Sequence, residues 1–380
     1  MRTTILNQWK GKKRKAAAFA LFLAAVGMLT ACGHSGGTRK SAAVKEPQSE
    51  AAQTTAVEMA AQSEGTEEKG SVSLENDEAR IHIAAVAAEV GIPYFTTMQW
   101  GAMDAAKDHN VELYWTGPAE WDFGKQQTFI DGVMSTNPDA LMLVPTDNAA
   151  LVAYVDDWME QGIPVICTDL ILAEHVDLVG YSSDPYSGGA EAAKQFYMQN
   201  GEGGVYLPVG TNPGAYGANL RVQGFVETIK ELDATCKVLD TVYPGNDANK
   251  AAQLVSAAVT GNPDLTGVFV ATSAPASGAA SAIIEAGKNG IIKVAAFDAD
   301  PQQVLDLKAG TYDVLIAQDP YQMGYDAITN LAKYCRGELT KENFKEAAVY
   351  YEMKALTREN VDDDTNAKFR YIAELSDVGY

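Results

Sequence analysis

Short apolar runs alternate with longer stretches of helical periodicity from about residue 80 onward. Eight runs are apolar at consecutive positions, which is typical of strands buried on both faces of a parallel sheet. Within two series they follow one another at intervals of about 24 to 31 residues, the length of a βα unit. They begin near Ile81, Val111, Ala140 and Pro164 in the first series, and near Val205, Cys236, Gly267 and Lys293 in the second.

Between these strands, apolar residues recur every three or four positions, which predicts amphipathic helices. The stretches 125–135 and 150–162 show this period, and Gly162 provides a C-terminal stop for the latter. The predicted buried faces consist of Phe129, Ile130, Val133 and Met134 in the former stretch, and of Leu151, Val152, Val155, Trp158 and Met159 in the latter.

Two series of such units predict an α/β fold with two doubly wound parallel-sheet lobes. A folded part of about 300 residues also suits two domains. Ligands of open parallel sheets bind outside the carboxyl ends of the strands. The loops that follow the strands are therefore where binding residues are expected.

The N-terminus has the layout of a signal peptide. Six basic residues precede Ala16, and residues 16–30 carry no charge. This run of about 15 residues is too short to span a bilayer but suits a signal-peptide core. The sequence Leu29-Thr30-Ala31-Cys32 resembles the lipobox of bacterial lipoproteins, which implies cleavage after residue 31 and acylation of the Cys32 sulfur. An ordinary cleavage site with a chance cysteine is the alternative.

The segment 32–79 is rich in Ser, Ala, Gly, Glu and Gln and is predicted to be a flexible tether. No later stretch reaches 18 apolar residues, so no further membrane span is predicted.

Charge and cysteine content exclude several classes of function. The whole chain has 29 basic and 50 acidic residues; six of the basic ones and none of the acidic ones precede Cys32, which leaves a mature net charge of −27. Such a charge argues against a nucleic-acid partner and against a repressor. The remaining cysteines, Cys167, Cys236 and Cys335, are widely spaced and form no CxxC pair, so we expect inert thiols.

Polar and aromatic side chains follow several predicted strands. Carboxylates accept hydroxyl protons in charge-assisted hydrogen bonds, and aromatic rings stack on C–H faces. This set suits a neutral, polyhydroxylated ligand. Its members are Glu89, Tyr94, Phe95, Asp147, Asp169, Tyr216, Asn219, Arg221, Asp298 and Gln318.

Four motifs carry a family resemblance. They are PYF at 93–95, PVICTD at 164–169, AFDADP at 296–301 and IAQDPYQMGY at 316–325. With them, the region from Ile81 to Met353 resembles the type I, ribose-binding-protein-like solute-binding proteins of bacterial ABC sugar importers. The resemblance implies ligand contacts from Tyr94, Phe95, Asp169, Asp298 and Gln318. It also places Thr272 where the family has an Asn, and Asn219 where it has an Arg, with Arg221 two residues further on.

The chain departs from the ribose-binding pattern at several positions. Leu170 stands where ribose binders have an Arg, Ile92 stands where an Asn is common, and the apolar Val144 replaces a frequent polar residue. Losing guanidinium groups removes bidentate recognition of hydroxyls. The resemblance therefore does not imply ribose, and another monosaccharide, a polyol or a furanosyl signalling molecule remains open.

The resemblance further implies three chain crossings between the lobes, near Ser183, Gln318 and Tyr350. The first lobe would then comprise residues 80–183 and 319–350, and the second lobe 184–318 and 351–380. Ligand bound between the lobes would stabilise a closed form by hinge closure.

Each candidate residue also has a structural alternative. Asp169 and Asp298 could cap helices, Tyr94 and Phe95 could be core residues, and Arg221 could pair with a neighbouring acid. Glu89, Asp147 and Tyr216 are weaker candidates. Trp115 and Trp121 are expected to pack, although one of them could line the cleft. Asp362 to Asp364 are expected to form an acidic surface turn rather than a calcium site.

The resemblance implies a monomeric, lipid-anchored, extracytoplasmic binding protein that delivers a sugar or polyol to the permease of an ABC transporter. A sensor that reports to a membrane receptor would use the same cleft. An enzyme is the less favoured alternative, because the predicted folded part from residue 80 onward has no Gly-x-Ser-x-Gly, His-Glu-x-x-His or phosphate-loop motif. Neither a cofactor nor a metal site is predicted.

Overall fold

The structure is a computed structural model that describes residues 80–380. The predicted signal peptide (1–31), the lipidation site Cys32 and the tether (32–79) lie outside the described residues. Within residues 80–380, no helix is long and apolar enough to cross a membrane.

The described residues contain twelve strands. They are β1 Ile81–Val86, β2 Val111–Thr116, β3 Ala140–Leu143, β4 Val165–Thr168, β5 Gly180–Ser183, β6 Val205–Val209, β7 Lys237–Val238, β8 Gly267–Val270, β9 Lys293–Phe297, β10 Val314–Ala317, β11 Ala348–Tyr351 and β12 Lys354–Leu356.

The same residues contain nine α-helices and three short 3₁₀-helices. The α-helices are α1 Pro93–Asp108, α2 Phe123–Met134, α3 Val152–Glu160, α4 Pro185–Asn200, α5 Tyr216–Leu232, α6 Ala248–Gly261, α7 Ser273–Glu285, α8 Pro301–Ala309 and α9 Pro320–Cys335. The 3₁₀-helices are Lys341–Asn343, Asp364–Phe369 and Leu375–Val378.

The first lobe is built on a parallel six-stranded sheet of order β11-β5-β4-β3-β1-β2. Helices α1 and α9 cover one face, with Met98 and Ile328 in the core, and α2 and α3 cover the other, with Ile130 and Val155. Burial on both faces is why the central strand β3 is apolar at every position, whereas the edge strands β2 and β11 have exposed residues.

The second lobe repeats this plan with the order β12-β10-β9-β8-β6-β7, in which only the edge strand β12 is antiparallel to its neighbour. Helices α4 and α5 pack on one face through an aromatic cluster that includes Phe225 and Phe269, stacked at 4.6 Å. Helices α6, α7 and α8 cover the opposite face. The two-lobe α/β architecture predicted from the sequence is confirmed.

Glycines allow the closest helix contacts. A Cβ on Gly189 of α4 would lie 1.8 Å from the carbonyl oxygen of Arg221 on α5, and a Cβ on Gly101 of α1 would lie 2.0 Å from that of Tyr321 on α9. Only glycine permits such backbone contact. In the second lobe, this contact between α4 and α5 sets the position of the Arg221 backbone.

The chain passes between the two sheets at three places. It does so at Asp184 after β5, at Gln318–Asp319 after β10 and at Glu352–Met353 between β11 and β12. These places adjoin the residues at which crossings were expected.

Two sequence predictions differ from the structure. Phe129 was expected on the buried face of α2, but it is exposed, and Gln126 is buried instead. The Gln126 amide donates to the carbonyls of Ala87 and Val144, and its oxygen accepts from Thr146. The buried position on α2 is therefore occupied by Gln126, which hydrogen-bonds to backbone groups at strand ends. The apolar period predicts an apolar residue at such a position.

The C-terminal segment also differs from the prediction. Residues 351–380 were expected in the second lobe. Tyr351 still belongs to β11 of the first sheet, and the Ile372 amide donates to Thr97 Oγ1 of α1. The 3₁₀-helix Leu375–Val378 also packs against α1. The last residues of the chain thus lie on the first lobe.

Candidate ligand-binding cleft

Two aspartates occupy equivalent positions in the two lobes. Asp169 directly follows β4 and Asp298 directly follows β9, and both have left-handed backbone angles, with φ of 67° and 71°. Their amides donate to the carbonyls of Tyr181 and Ile316 on the neighbouring strands. Neither is the N-cap of a helix, so the capping alternative is wrong for both. The strand ends hold both carboxylates where parallel-sheet proteins bind ligands.

Asp169 is held by residues of its own lobe. Its Oδ1 accepts a hydrogen bond from the Tyr94 hydroxyl at 2.9 Å, and its carbonyl oxygen accepts one from Ser182 Oγ at 2.5 Å. Burial raises the pKa of the Asp169 carboxyl, while the Tyr94 hydrogen bond and the positive charge of Arg221 act in the opposite direction. Arg221 belongs to the second lobe, so charges of both lobes act on this carboxylate.

Asp298 is held in a similar way. Its Oδ1 accepts from Gln318 Nε2 at 2.9 Å and from the Tyr371 hydroxyl at 3.4 Å. Among residues 80–380, no side chain or amide hydrogen-bonds to Oδ2 of either Asp298 or Asp169. In each lobe, the hydrogen bonds to Oδ1 hold the aspartate side chain in place. Its Oδ2 is therefore free to accept a hydrogen bond from a ligand hydroxyl.

Arg221 lies near Asp169, and among residues 80–380 it forms no ion pair with an acidic side chain. Its Nη1 donates to the Ala271 carbonyl at 2.9 Å, and its guanidinium carbon lies 4.1 Å from the centre of the Phe297 ring. Its Nε is buried and has no hydrogen-bond partner in the described part of the chain. The interpretation that Arg221 pairs with a neighbouring acid is therefore wrong.

Two further polar atoms of the second lobe are buried without a partner among the residues described. The Asn219 amide nitrogen donates to the Pro213 carbonyl at 2.8 Å, which leaves its Oδ1 unbonded. Thr272 is the N-cap residue of α7, yet its hydroxyl makes no capping hydrogen bond and is unpartnered. Buried polar groups without a partner cost about 1–3 kcal/mol each, so they are expected where a ligand completes the hydrogen bonds.

Aromatic rings contribute to the first-lobe side. Tyr94 and Phe95 lie in the first turn of α1, belong to the core cluster of this lobe and pack edge to face at 5.1 Å. The ring of Trp121 lies 6.2 Å from that of Phe95 and is 46% exposed. Trp115 packs against the core, as expected. The ring of Tyr94 thus packs in the core, while its hydroxyl hydrogen-bonds to Asp169 of the candidate cleft.

Of the three weaker candidates, Asp147 and Tyr216 are exposed, and Glu89 stays a prediction. Asp147 is exposed, and its Oδ1 accepts from the amides of Ala149 and Ala150, which gives it a local turn-stabilising role. Tyr216 is 78% exposed at the start of α5. Glu89 is half-buried near Trp121, and burial together with the charge of Glu120 raises its pKa.

The sequence analysis missed Tyr371. Its side chain is 3% exposed, its ring packs edge to face on Tyr94 at 5.6 Å, and its hydroxyl accepts from the Gln318 amide at 3.0 Å. Burial and the charge of Asp298 raise the pKa of Tyr371 well above its ordinary value, so the phenol stays protonated. The only signal was an aromatic residue in a short apolar stretch, which gives no information about long-range contacts.

The cysteines and the acidic turn take no part in the cleft. Cys167 is buried, Cys236 and Cys335 are half-buried, and all three are free thiols. Burial raises the pKa of each of them. Asp362 forms ion pairs with Lys308 and Arg370. Across residues 80–380 there is no cluster of three His, Cys, Asp or Glu residues that could hold a metal ion.

The cluster combines two free carboxylate oxygens, one guanidinium, an amide oxygen, a hydroxyl and aromatic rings. A sugar hydroxyl both donates and accepts, so a ring with several hydroxyls satisfies all of these groups together. The nonpolar C–H face of such a ring packs on aromatic side chains.

Comparisons with known proteins agree with this chemistry. A family model described as periplasmic binding protein domain matches residues 83–339. The ribose import binding protein RbsB of Bacillus subtilis (strain 168) is 26% identical over 232 residues, which cover 61% of this chain and 74% of that protein. The D-allose-binding periplasmic protein of Escherichia coli (strain K12) is 24% identical over 254 residues, covering 63% and 80%.

Solved structures show the same fold. An ABC transporter solute binding protein from Agrobacterium vitis, bound with alpha-D-tagatopyranose, is 30% identical with a TM-score of 0.66, and the match covers 77% of this chain and all of that one. The arabinose binding protein AraP from Geobacillus stearothermophilus is 24% identical with a TM-score of 0.69, covering 74% and 98%, and supports the fold alone.

Proposed function

Because the chain belongs to the periplasmic binding protein domain family, we propose that it captures a monosaccharide or similar polyhydroxylated molecule between its lobes and delivers it to the permease of an ABC transporter. The family consists of extracytoplasmic solute-binding proteins of transport systems, not of enzymes. We accordingly assign binding residues and no catalytic residue.

The observation that carries this proposal is the set of unpartnered polar atoms on the second lobe. Arg221 Nε, Asn219 Oδ1 and Thr272 Oγ1 are buried without partners in the described part of the chain, and the charge of Arg221 acts on Asp169, one of two half-bonded carboxylates. A ligand with hydroxyls at adjacent ring carbons would supply each missing donor or acceptor. A purely apolar ligand would leave all three unsatisfied, at a cost of about 1–3 kcal/mol each.

The proposed binding residues divide between the lobes. Tyr94, Phe95 and Asp169 belong to the first lobe, and Asn219, Arg221, Thr272 and Asp298 to the second, with Gln318 at a crossing. A ligand that contacts both sets binds the closed form more tightly than the open form. This difference in affinity is what would shift the protein towards closure and present the closed form to the permease.

The relatives indicate the class of ligand, monosaccharides, but not which monosaccharide this chain binds. Their names refer to ribose, allose and apiose, and the structures that resemble this chain hold tagatose, fucose or arabinose. The chain has Leu170, 36% exposed, directly after Asp169. An apolar group at that place disfavours a ligand that needs a second guanidinium, and we therefore propose a monosaccharide other than ribose as the physiological ligand.

The lipid anchor at Cys32 is proposed from the sequence. It would keep the binding protein next to the membrane and raise its effective concentration at the permease. Replacing Cys32 with Ser in the full chain should move the protein from the membrane fraction to the medium or periplasm. Retention of the variant at the membrane would contradict the anchor.

The experiment that tests binding is a thermal-shift series on the mature chain with D-ribose, D-allose, D-arabinose, D-fucose, D-tagatose, polyols and nucleosides. A ligand at about 100 times its Kd adds about 2.7 kcal/mol to the free energy of unfolding. At least one sugar should raise the Tm. If only nucleosides or no compound did so, the sugar assignment would be wrong.

A further inference from the structure

The C-terminal segment, residues 357–380, joins the two lobes in addition to the three crossings. The Tyr371 amide donates to the Ala299 carbonyl of the second lobe at 3.0 Å. The next amide, that of Ile372, donates to Thr97 Oγ1 of the first lobe at 2.9 Å. Consecutive residues are therefore hydrogen-bonded to opposite lobes, which makes this a fourth connection.

Both ends of the segment are fixed. Towards the second lobe, the Asn360 side-chain amide donates to the Ala355 carbonyl of β12 at 3.0 Å, and the buried Asn366 donates to the Asn360 carbonyl. Lys368 forms an ion pair with Asp319 at the crossing that follows β10. Towards the first lobe, the Tyr380 hydroxyl donates to Asp104 on α1. Contacts at both ends place Tyr371, between them, at a defined position.

Tyr371 lies between the proposed ligand residues of both lobes. Its ring packs on Tyr94 of the first lobe, and its hydroxyl hydrogen is directed to Asp298 of the second. The same hydroxyl accepts from the Gln318 amide, so Tyr371 stands at the hinge-side end of the cleft. The buried Tyr371 side chain thus contacts Tyr94, Asp298 and Gln318. Its ring affects the length of the cleft, and its hydroxyl affects the orientation of the Asp298 carboxylate.

We propose that Tyr371 is a specificity-determining residue of the cleft. This inference rests on the proposed function. The ring closes the hinge-side end and so limits the size of the ligand. The hydroxyl, together with Gln318, occupies Asp298 Oδ1 and leaves Oδ2 for a ligand hydroxyl.

The test compares two substitutions with a matched control. Tyr371→Ala removes the ring and opens the hinge-side end. Tyr371→Phe keeps the ring and removes only the hydroxyl. Tyr380→Phe removes a hydroxyl at the far end of the same segment, where no proposed ligand residue lies. Kd values are measured by calorimetry for D-ribose and D-allose, because allose extends the same ring configuration by one hydroxymethyl group.

In Tyr371→Ala the ratio of Kd for ribose to Kd for allose should shift at least about tenfold towards allose, since one such group in a pocket is worth about 10- to 200-fold. Tyr371→Phe should weaken both sugars by about tenfold and leave the ratio unchanged. Tyr380→Phe should change neither value. An equal loss for both sugars in Tyr371→Ala would show that the ring merely packs, and would overturn the inference.

A second measurement needs no sugar. Hydrogen exchange of the ligand-free protein should be faster in Tyr371→Ala than in Tyr371→Phe in peptides of both lobes, around Thr97 and around Ala299. Faster exchange in one lobe only would contradict the position of Tyr371 between the lobes, even if the wild type bound none of the sugars tested. Absence of binding by the wild type would instead count against the proposed function.

Discussion

The Tyr94 hydroxyl donates to Asp169 Oδ1 over 2.9 Å, across 75 residues of sequence. One aromatic side chain thereby joins the core of the first lobe to a carboxylate of the cleft. The hydrogen bond leaves Asp169 Oδ2 free and lowers the pKa that burial raises.

Removing this hydrogen bond should change the pH dependence of ligand binding. In the proposed site a ligand hydroxyl donates to the Asp169 carboxylate, so affinity should fall as the pH drops through the pKa of this group. Tyr94→Phe removes an interaction that lowers this pKa, so the midpoint of the loss should move to higher pH. Calorimetric titrations with the sugar that binds, between pH 4 and 8, measure this midpoint. An unchanged midpoint would show that Asp169 does not contact the ligand.

Loss of the Asp298 charge should weaken binding strongly. Asp298→Asn keeps the shape but removes a charged acceptor, and hydrogen bonds to charged groups contribute about 1.5–3 kcal/mol. The Kd should rise by about 10- to 100-fold in calorimetry. Asp147→Asn is the matched control, since Asp147 is exposed and stabilises only a local turn, and it should leave the Kd unchanged. Equal effects of both substitutions would contradict the assignment of the cleft.

Arg221 should not be replaceable by lysine. A lysine ammonium has all its donors on one nitrogen and has no planar group to stack on Phe297, so it cannot donate to the Ala271 carbonyl and also place a donor at the position of Arg221 Nε. We expect Arg221→Lys to raise the Kd by at least about tenfold. Arg358→Lys changes a guanidinium that donates to the Tyr312 carbonyl elsewhere in this lobe, and its Kd should match that of the wild type. Identical behaviour of the two variants would remove Arg221 from the proposed site.

Asp300 should make the ligand-free protein less stable as the pH rises. Burial and the charge of Asp298 raise the pKa of Asp300 to about 7 from an ordinary value of 3.8. Between these values the folded state keeps a proton that the unfolded state has lost, so the free energy of unfolding falls with rising pH in this window.

The change due to this one group should be about 2 to 3 kcal/mol between pH 5 and pH 8, because two pH units of this window lie below the raised pKa and each corresponds to about 1.36 kcal/mol. Asp300→Asn has no titrating group and remains a good N-cap for α8, so its loss of stability over this range should be smaller. Urea unfolding at the two pH values measures the difference. Parallel pH profiles for wild type and variant would show that Asp300 titrates normally.

Gly189 should tolerate no side chain. A Cβ there would lie 1.8 Å from the Arg221 carbonyl oxygen, so Gly189→Ala must separate α4 from α5 and displace Arg221. We expect a loss of about 1–3 kcal/mol in unfolding free energy, together with weaker binding. Gly217→Ala, on α5 with no atom within 4 Å of the added Cβ, should be neutral or slightly stabilising. A stable Gly189→Ala variant would contradict the packing of the two helices.

Local patterns were sufficient for the repeating part of the fold. All eight strands predicted from apolar runs exist, although β7 is only two residues long. The central strands among them, such as β3 and β8, are buried on both faces and therefore need consecutive apolar residues. The strands β5, β10, β11 and β12 were not predicted. Two of these show why: β5, with the sequence GYSS, and β12, with the sequence KAL, have no continuous apolar run of strand length.

Motifs at strand ends identified the residues that the sheets themselves position. Asp169 and Asp298 follow predicted strands, so their proximity to the cleft follows from the fold class. Tyr371 lies after the last strand, and its position depends on backbone hydrogen bonds to Ala299 and Thr97 that no local pattern encodes. Phe129 was misplaced because a buried hydrogen-bonding network around Gln126 overrides the apolar period of α2.

The order of the elements along the chain has a consequence for how the protein matures. The Tyr321 hydroxyl donates to Asp104 at 2.8 Å, and these residues are 217 positions apart. Helix α9 and strand β11 complete the first lobe, yet they follow five of the six strands of the second sheet in sequence. A chain that emerges N-terminus first therefore exposes those five strands while the first lobe still lacks an edge strand and a covering helix. Such long-range closure is slow, and the half-built first lobe is the part of the nascent chain that would need protection from aggregation.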